Sequence, residues 1–103
     1  MGPEDVRRLI LALQDVDEQK HMSHPDFRVR GRIIATLGRP DARWAIVKLT
    51  PKQQDMLISS RPDAYRPASG AWGRRGSTLL LLEAVQEEEA AQAIRMAWAT
   101  AQR

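Results

Sequence analysis

The chain has 103 residues, 43% of them hydrophobic and 28% charged, with 16 Lys and Arg against 13 Asp and Glu and no cysteine. Domains usually run roughly 50 to 200 residues, so residues 1–103 read as one domain with a real core. The missing cysteines exclude disulfides, thiolate nucleophiles and cysteine-held zinc, and no apolar run approaches the roughly 18 residues that a membrane span requires.

The opening MGPEDVRR carries acids where a signal peptide carries a basic region, which points to the cytoplasm. Pro3 in a first turn, Glu4 and Asp5 against the helix dipole, and Val6, Leu9, Ile10 and Leu13 at helical spacing predict a helix. The acidic QDVDEQ reads as a link. DFRV and RIIATL, joined at Arg30 and Gly31, read as a β-hairpin, although Arg-Gly is a weaker two-residue turn signal than Asn-Gly. Turn chemistry at Gly38, Pro40 and Asp41 leads into WAIVKL, a third strand.

Thr50, Pro51 and Gln53 occupy the N-cap, first-turn and capping-box positions of a helix that runs to about Ser59. RPDAYRPAS reads as an ordered loop, GAWGRRG as a glycine loop, and STLLLLEAV as a strand whose four leucines fit either a two-face burial or a short buried run. Glu87, Glu88 and Glu89 open a last helix, along which Ala90, Ile94, Ala97, Trp98 and Ala101 form an apolar stripe. Short links between strands favour an antiparallel sheet, and the class is α+β in two layers, the sheet flanked by N- and C-terminal helices.

The charge is uneven. Residues 26–76 hold eleven Lys and Arg against four Asp, net +7, while residues 1–25 and 77–103 are each at −2. Such a basic middle suits an anionic partner. His21 and His24 lack the second cluster or the helical spacing of a metal site, so no metal is expected. Ser23, Ser59, Ser60, Ser69 and Ser77 have no nucleophile frame, and neither an enzyme activity nor a cofactor is expected. GAWGRRG is followed by a strand and lacks the Lys-Ser/Thr of a phosphate-binding P-loop. Its remaining chemistry is anion binding: Gly70, Gly73 and Gly76 free the backbone, Trp72 anchors the loop, and Arg74 and Arg75 offer planar guanidinium forks.

HPDFRVRGRIIATLG, VKLTPKQQ and GAWGRRGSTLLLL, together with the two terminal helices, resemble the MmcQ/YjbR family over most of the chain. The resemblance implies a CyaY-like α+β fold and a DNA-binding protein with a double wing. One wing would be the hairpin bearing Arg28, Arg30 and Arg32, the other the loop bearing Trp72, Arg74 and Arg75. Ile34 stands where many relatives place an aromatic residue. The leading expectation is phosphate-dominated DNA binding with weak sequence preference. The competing one is a small anionic ligand or a protein partner, with Trp72, Tyr65 and the hairpin forming a pocket. In a third reading the arginines are structural, paired with Asp26, Asp55 or Asp63.

Overall fold

The computed structural model describes the backbone of residues 1–103 and every side chain other than that of His21. Helix α1 spans Pro3–Leu11 and buries Val6 and Ile10. The Asp5 carboxylate accepts the Gly2 N–H at 2.8 Å, and this bond holds Asp5 below the usual carboxylate range. Strands β1 (Val16–His21), β2 (His24–Val29), β3 (Arg32–Leu37) and β4 (Trp44–Lys48) follow. Then come α2 (Pro51–Ser60), β5 (Tyr65–Pro67), α3 (Gly70–Arg74), β6 (Ser77–Leu81) and, after a short 3-10 turn, α4 (Glu87–Ala101).

The six strands form one antiparallel sheet in the order β1-β2-β3-β4-β6-β5. Ala90, Ala93, Ile94 and Ala97 of α4, spaced along one stripe, share a buried cluster with Val6 and Ile10 of α1 and with Phe27, Val29, Val47 and Leu80 of the sheet. The alanines let the helix lie close to the sheet while the strands supply the bulk. The result is the two-layer α+β architecture expected, and no helix of the described residues is long and apolar enough to cross a membrane.

Three segments differ from expectation. QDVDEQ is no link, because Val16 begins strand β1, which pairs with β2 from Val16↔Val29 to His21↔His24. Its charges are those of a protected sheet edge: Asp17, Glu18 and Lys20 are all exposed. RPDAYRPAS contains β5, three residues on the opposite edge beside β6. GAWGRRG is not an open loop but the short helix α3, and Gly76, at φ +113°, turns the chain out of it into β6. The hairpin expectation held in its tightest form: Arg30 (φ 53°) and Gly31 (φ 78°) make a two-residue turn with both φ values positive. The four leucines divide between layers, since Leu80 is buried in the core, Leu79 and Leu81 are half-buried, and Leu82 has already left the strand.

Tyr65, the only tyrosine, lies in the core at 2% exposure, with its hydroxyl 3.5 Å from Glu89 Oε2. Burial, followed by the Glu89 charge, pushes its pKa from 10.0 up to about 12. A raised pKa means that the folded state favours the protonated phenol. Tyr65 therefore contributes fully below pH 10, and about 2–3 kcal/mol of stability is lost as pH rises from 10 to 12. Denaturant titrations across that window should show the loss in wild type and a flatter profile in Tyr65→Phe. Parallel profiles for the two proteins would refute the assignment.

Candidate functional site

Residues directly opposite one another in neighbouring strands project to the same side of a sheet. Asp26↔Thr36, Thr36↔Ile46, Ile46↔Leu79 and Lys48↔Ser77 therefore define a second face, behind the one that carries Phe27, Val29 and Val47. Two irregularities open this face at one end. The β2/β3 register slips between Phe27↔Ala35 and Arg28↔Ile33, leaving Ile34 as an extra residue. In addition, β3 pairs with β4 only from Ala35 to Leu37, while β4 continues along β6 to Lys48↔Ser77. The hairpin tip thus peels away from β4.

A cavity of about 610 Å³ occupies the resulting cleft. Ile33, Ile46, Thr36 and Lys48 of the sheet line it, with Arg28 and Arg32 from the hairpin and Arg39 from the following turn. Trp72 and Arg75 reach it from α3, and Ala97, Thr100 and Ala101 from the last turns of α4. Five cations therefore meet one carboxylate, Asp26, and that carboxylate is already engaged. Asp26 is 2% exposed, and Arg28 grips it through Nε at 3.0 Å and Nη2 at 3.2 Å. This bond to Asp26 raises the Arg28 pKa above its ordinary value.

The remaining cavity cations are free of acids. Arg39, Lys48 and Arg75 make no ion pair among the described residues, and Arg32 donates to the carbonyls of Ala101 (3.3 Å) and Arg103 (3.0 Å) at the end of α4. Elsewhere in the basic middle, some charges are engaged, while Arg30, Lys52 and Arg74 make no ion pair among the described residues. Arg43 pairs with Asp41 at 3.0 Å, Arg61 binds Asp63 and Glu89, and Arg66 stacks 5.3 Å over the Trp44 ring. Structural pairing thus accounts for Arg28 with Asp26 and Arg61 with Asp63, but not for the cavity rim.

Of the residues singled out in the sequence, Arg28, Arg32, Arg75 and Trp72 converge on this cavity. Arg30, at the hairpin tip, and Arg74 are exposed and lie outside its lining. Trp72 does not plug the core, since 58% of it is exposed. Tyr65 is no part of the pocket; it is buried beside Glu89. The glycines divide by role: Gly70 is exposed at the start of α3, whereas Gly73 and Gly76 are buried where the backbone passes close to its neighbours. Gly73 owes its place to space rather than to φ, because a Cβ there would collide with the Ala68 carbonyl.

Reasoning from sequence missed Arg39 and Lys48 as site residues, although alternation along WAIVK sets Ile46 and Lys48 on one side. It also missed Gln54. This buried amide donates to the Gly73 carbonyl and the Ser77 carbonyl, each at 3.0 Å, and to Thr78 Oγ1 at 3.2 Å, tying α3 and β6 to α2. The α2 N-terminus that carries it is the capping box expected: Gln53 N–H to Thr50 Oγ1 at 3.1 Å and Thr50 N–H to Gln53 Oε1 at 2.9 Å. No group of three or more His, Asp or Glu among the described residues is placed to hold a metal ion.

An antiparallel sheet packed against α1 and α4, with a cationic cleft between the β2/β3 hairpin, α3 and the end of α4, defines this α+β protein. The sequence profile of the YjbR family matches residues 11–100, and the chain belongs to that family. Among solved structures, the crystal structure of Deinococcus radiodurans protein DR2400, with a domain designated DUF419, is similar over 94% of this chain and 75% of its own. The TM-score is 0.79 at 16% identity, a likeness of fold. No curated protein matches the chain.

Proposed function

We propose that the chain binds DNA through phosphate contacts, with weak sequence preference and without bond-making chemistry. One observation carries this reading: Arg39, Lys48 and Arg75, none of them in an ion pair among the described residues, surround one concave surface beside an exposed tryptophan. Guanidinium and ammonium groups without acid partners, gathered on one concave surface, suit an external polyanion. Arg30 adds to the argument. Its backbone sits at φ 53°, where Asn or Gly would be easier, so a guanidinium is held at a hairpin tip against local preference. A small organic anion is the second reading, favoured by the cavity volume of about 610 Å³, a size that also suits a compact ligand.

Fluorescence anisotropy of labelled DNA, titrated at several salt concentrations, tests the proposal. Each phosphate neutralised contributes about 0.9 to the slope of log K against log salt. The Lys48→Ala/Arg75→Ala variant should therefore weaken binding and flatten the slope by about 1.8. Arg28 and Arg32 are poor probes, because removing Arg28 strands buried Asp26 and removing Arg32 unties the hairpin from the chain at Ala101 and Arg103. Wild type that fails to bind DNA at low salt would refute the proposal, and saturable stabilisation by a small anion alone would replace it with the second reading.

A further inference from the structure

The same cleft holds features that phosphates do not use. Its floor is apolar at Ile33 and Ile46, Trp72 stands at its wall largely exposed, and Thr100, from α4, also lines it. The Thr100 hydroxyl is a buried side-chain oxygen without a hydrogen-bond partner among the described residues. That oxygen is closed off from the cleft and meets no ligand there, so the groups open to one are Ile33, Ile46 and Trp72. A base-paired duplex cannot reach these groups: its bases are stacked inside, and it would offer a concave surface only its phosphate ridge. An unpaired nucleotide has both a free π-face and a flexible backbone. Its base would fill the apolar cleft against Trp72, with its flanking phosphates on Lys48, Arg39 and Arg75.

We infer that the cleft takes an unpaired base of single-stranded nucleic acid, stacked on Trp72 over the apolar floor, an inference that rests on the phosphate-binding reading above. The tryptophan then supplies contact area and the cations supply charge. Base stacking on an aromatic side chain is insensitive to base identity, which agrees with the weak sequence preference proposed above. Arg30 and Arg74, exposed and outside the lining, add cations for the phosphates of a longer strand.

The test uses the full chain and three labelled probes: an oligothymidylate of about 12 nucleotides, an abasic strand of equal length, and a duplex, the length chosen within the usual single-strand site size. At one salt concentration the oligothymidylate should bind more tightly than the duplex. Trp72→Ala should weaken the oligothymidylate at least about fivefold, and Trp72→Phe much less. The abasic strand should bind wild type weakly and lose nothing further in either variant, while its salt slope persists. Duplex binding as tight as single-strand binding, or an unaffected Trp72→Ala, would overturn the inference while leaving the phosphate contacts standing. Displacement of the oligothymidylate by thymidine monophosphate at similar concentration would assign the cleft to a free nucleotide and overturn the strand. Failure of all three probes to bind at low salt would remove the parent reading as well.

Discussion

Gly76→Ala should destabilise the protein by about 3–5 kcal/mol, among the larger effects a single substitution produces. Two independent costs combine at this position. The residue sits at φ +113°, beyond the left-handed region that an L side chain tolerates, and its Cβ would fall on the carbonyl of Leu49. That carbonyl belongs to rigid backbone rather than to a movable side chain, so relaxation would have to separate the start of β6 from the segment after β4. The Leu49 N–H donates to the Gly76 carbonyl at 3.2 Å, which fixes the two strands at this point. Thermal melting should show a drop of about 15 °C or more for a chain of this size. Gly31→Ala is the control, because it also has a positive φ, 78°, but nothing lies within 4 Å of its Cβ. It should cost only about 1–2 kcal/mol, the penalty for the backbone conformation alone. Equal melting losses in the two variants would show that the close approach to Leu49 contributes nothing.

The glycine segment illustrates what could and could not be read from the sequence. Three glycines around one tryptophan and two arginines mark a special backbone, and the structure confirms special conformations at Gly70 and Gly76. Yet the glycine pattern alone cannot distinguish a loop from a short helix. Gly73 lies inside α3, demanded by the Ala68 carbonyl, a tertiary contact that local propensity does not encode. The core was more legible: Val6 and Ile10, the β-branched runs of β3 and β4, and the alanine stripe of α4 all follow period and burial. Strand β1 was hidden because an edge strand needs few apolar residues, and its turn uses Met22 and Ser23 at φ 51° and 69° rather than glycine.

The candidate site was legible in charge and illegible in shape. Arg28, Arg32, Arg75 and Trp72 stood out by type, whereas the slipped β2/β3 register and the early end of β3/β4 pairing create the cleft that gathers them. Register depends on which partner strand lies alongside, and the alternation of one segment does not contain it. Arg30 and Arg74 are neighbours in sequence of cavity residues, but a one-residue step along a turn or a helix turns a side chain away.

Gln54→Leu should lower stability by about 1–3 kcal/mol, or on the order of 5–15 °C in melting temperature, although the substitution nearly conserves volume. The loss arises from what is left behind. Without the amide, the Gly73 and Ser77 carbonyls each lose a donor at 3.0 Å, although the Gly76 N–H (3.1 Å) and the Ala68 N–H (2.9 Å) still reach them, and each net hydrogen bond lost costs about 0.5–1.5 kcal/mol. The Thr78 hydroxyl still donates to the Gly76 carbonyl at 2.8 Å, so β6 itself keeps its place. What loosens is the hold on α3, the element that presents Trp72 and Arg75 to the cleft. Below its melting transition the variant should therefore bind DNA more weakly than wild type, although Gln54 lies outside the cavity lining. Its salt slope should fall toward that of Arg75→Ala, a signature that mere loss of folded protein would not produce. Full affinity in a destabilised Gln54→Leu protein would show that α3 keeps its position through its own backbone, and would leave Gln54 a stabilising residue with no part in presenting the site.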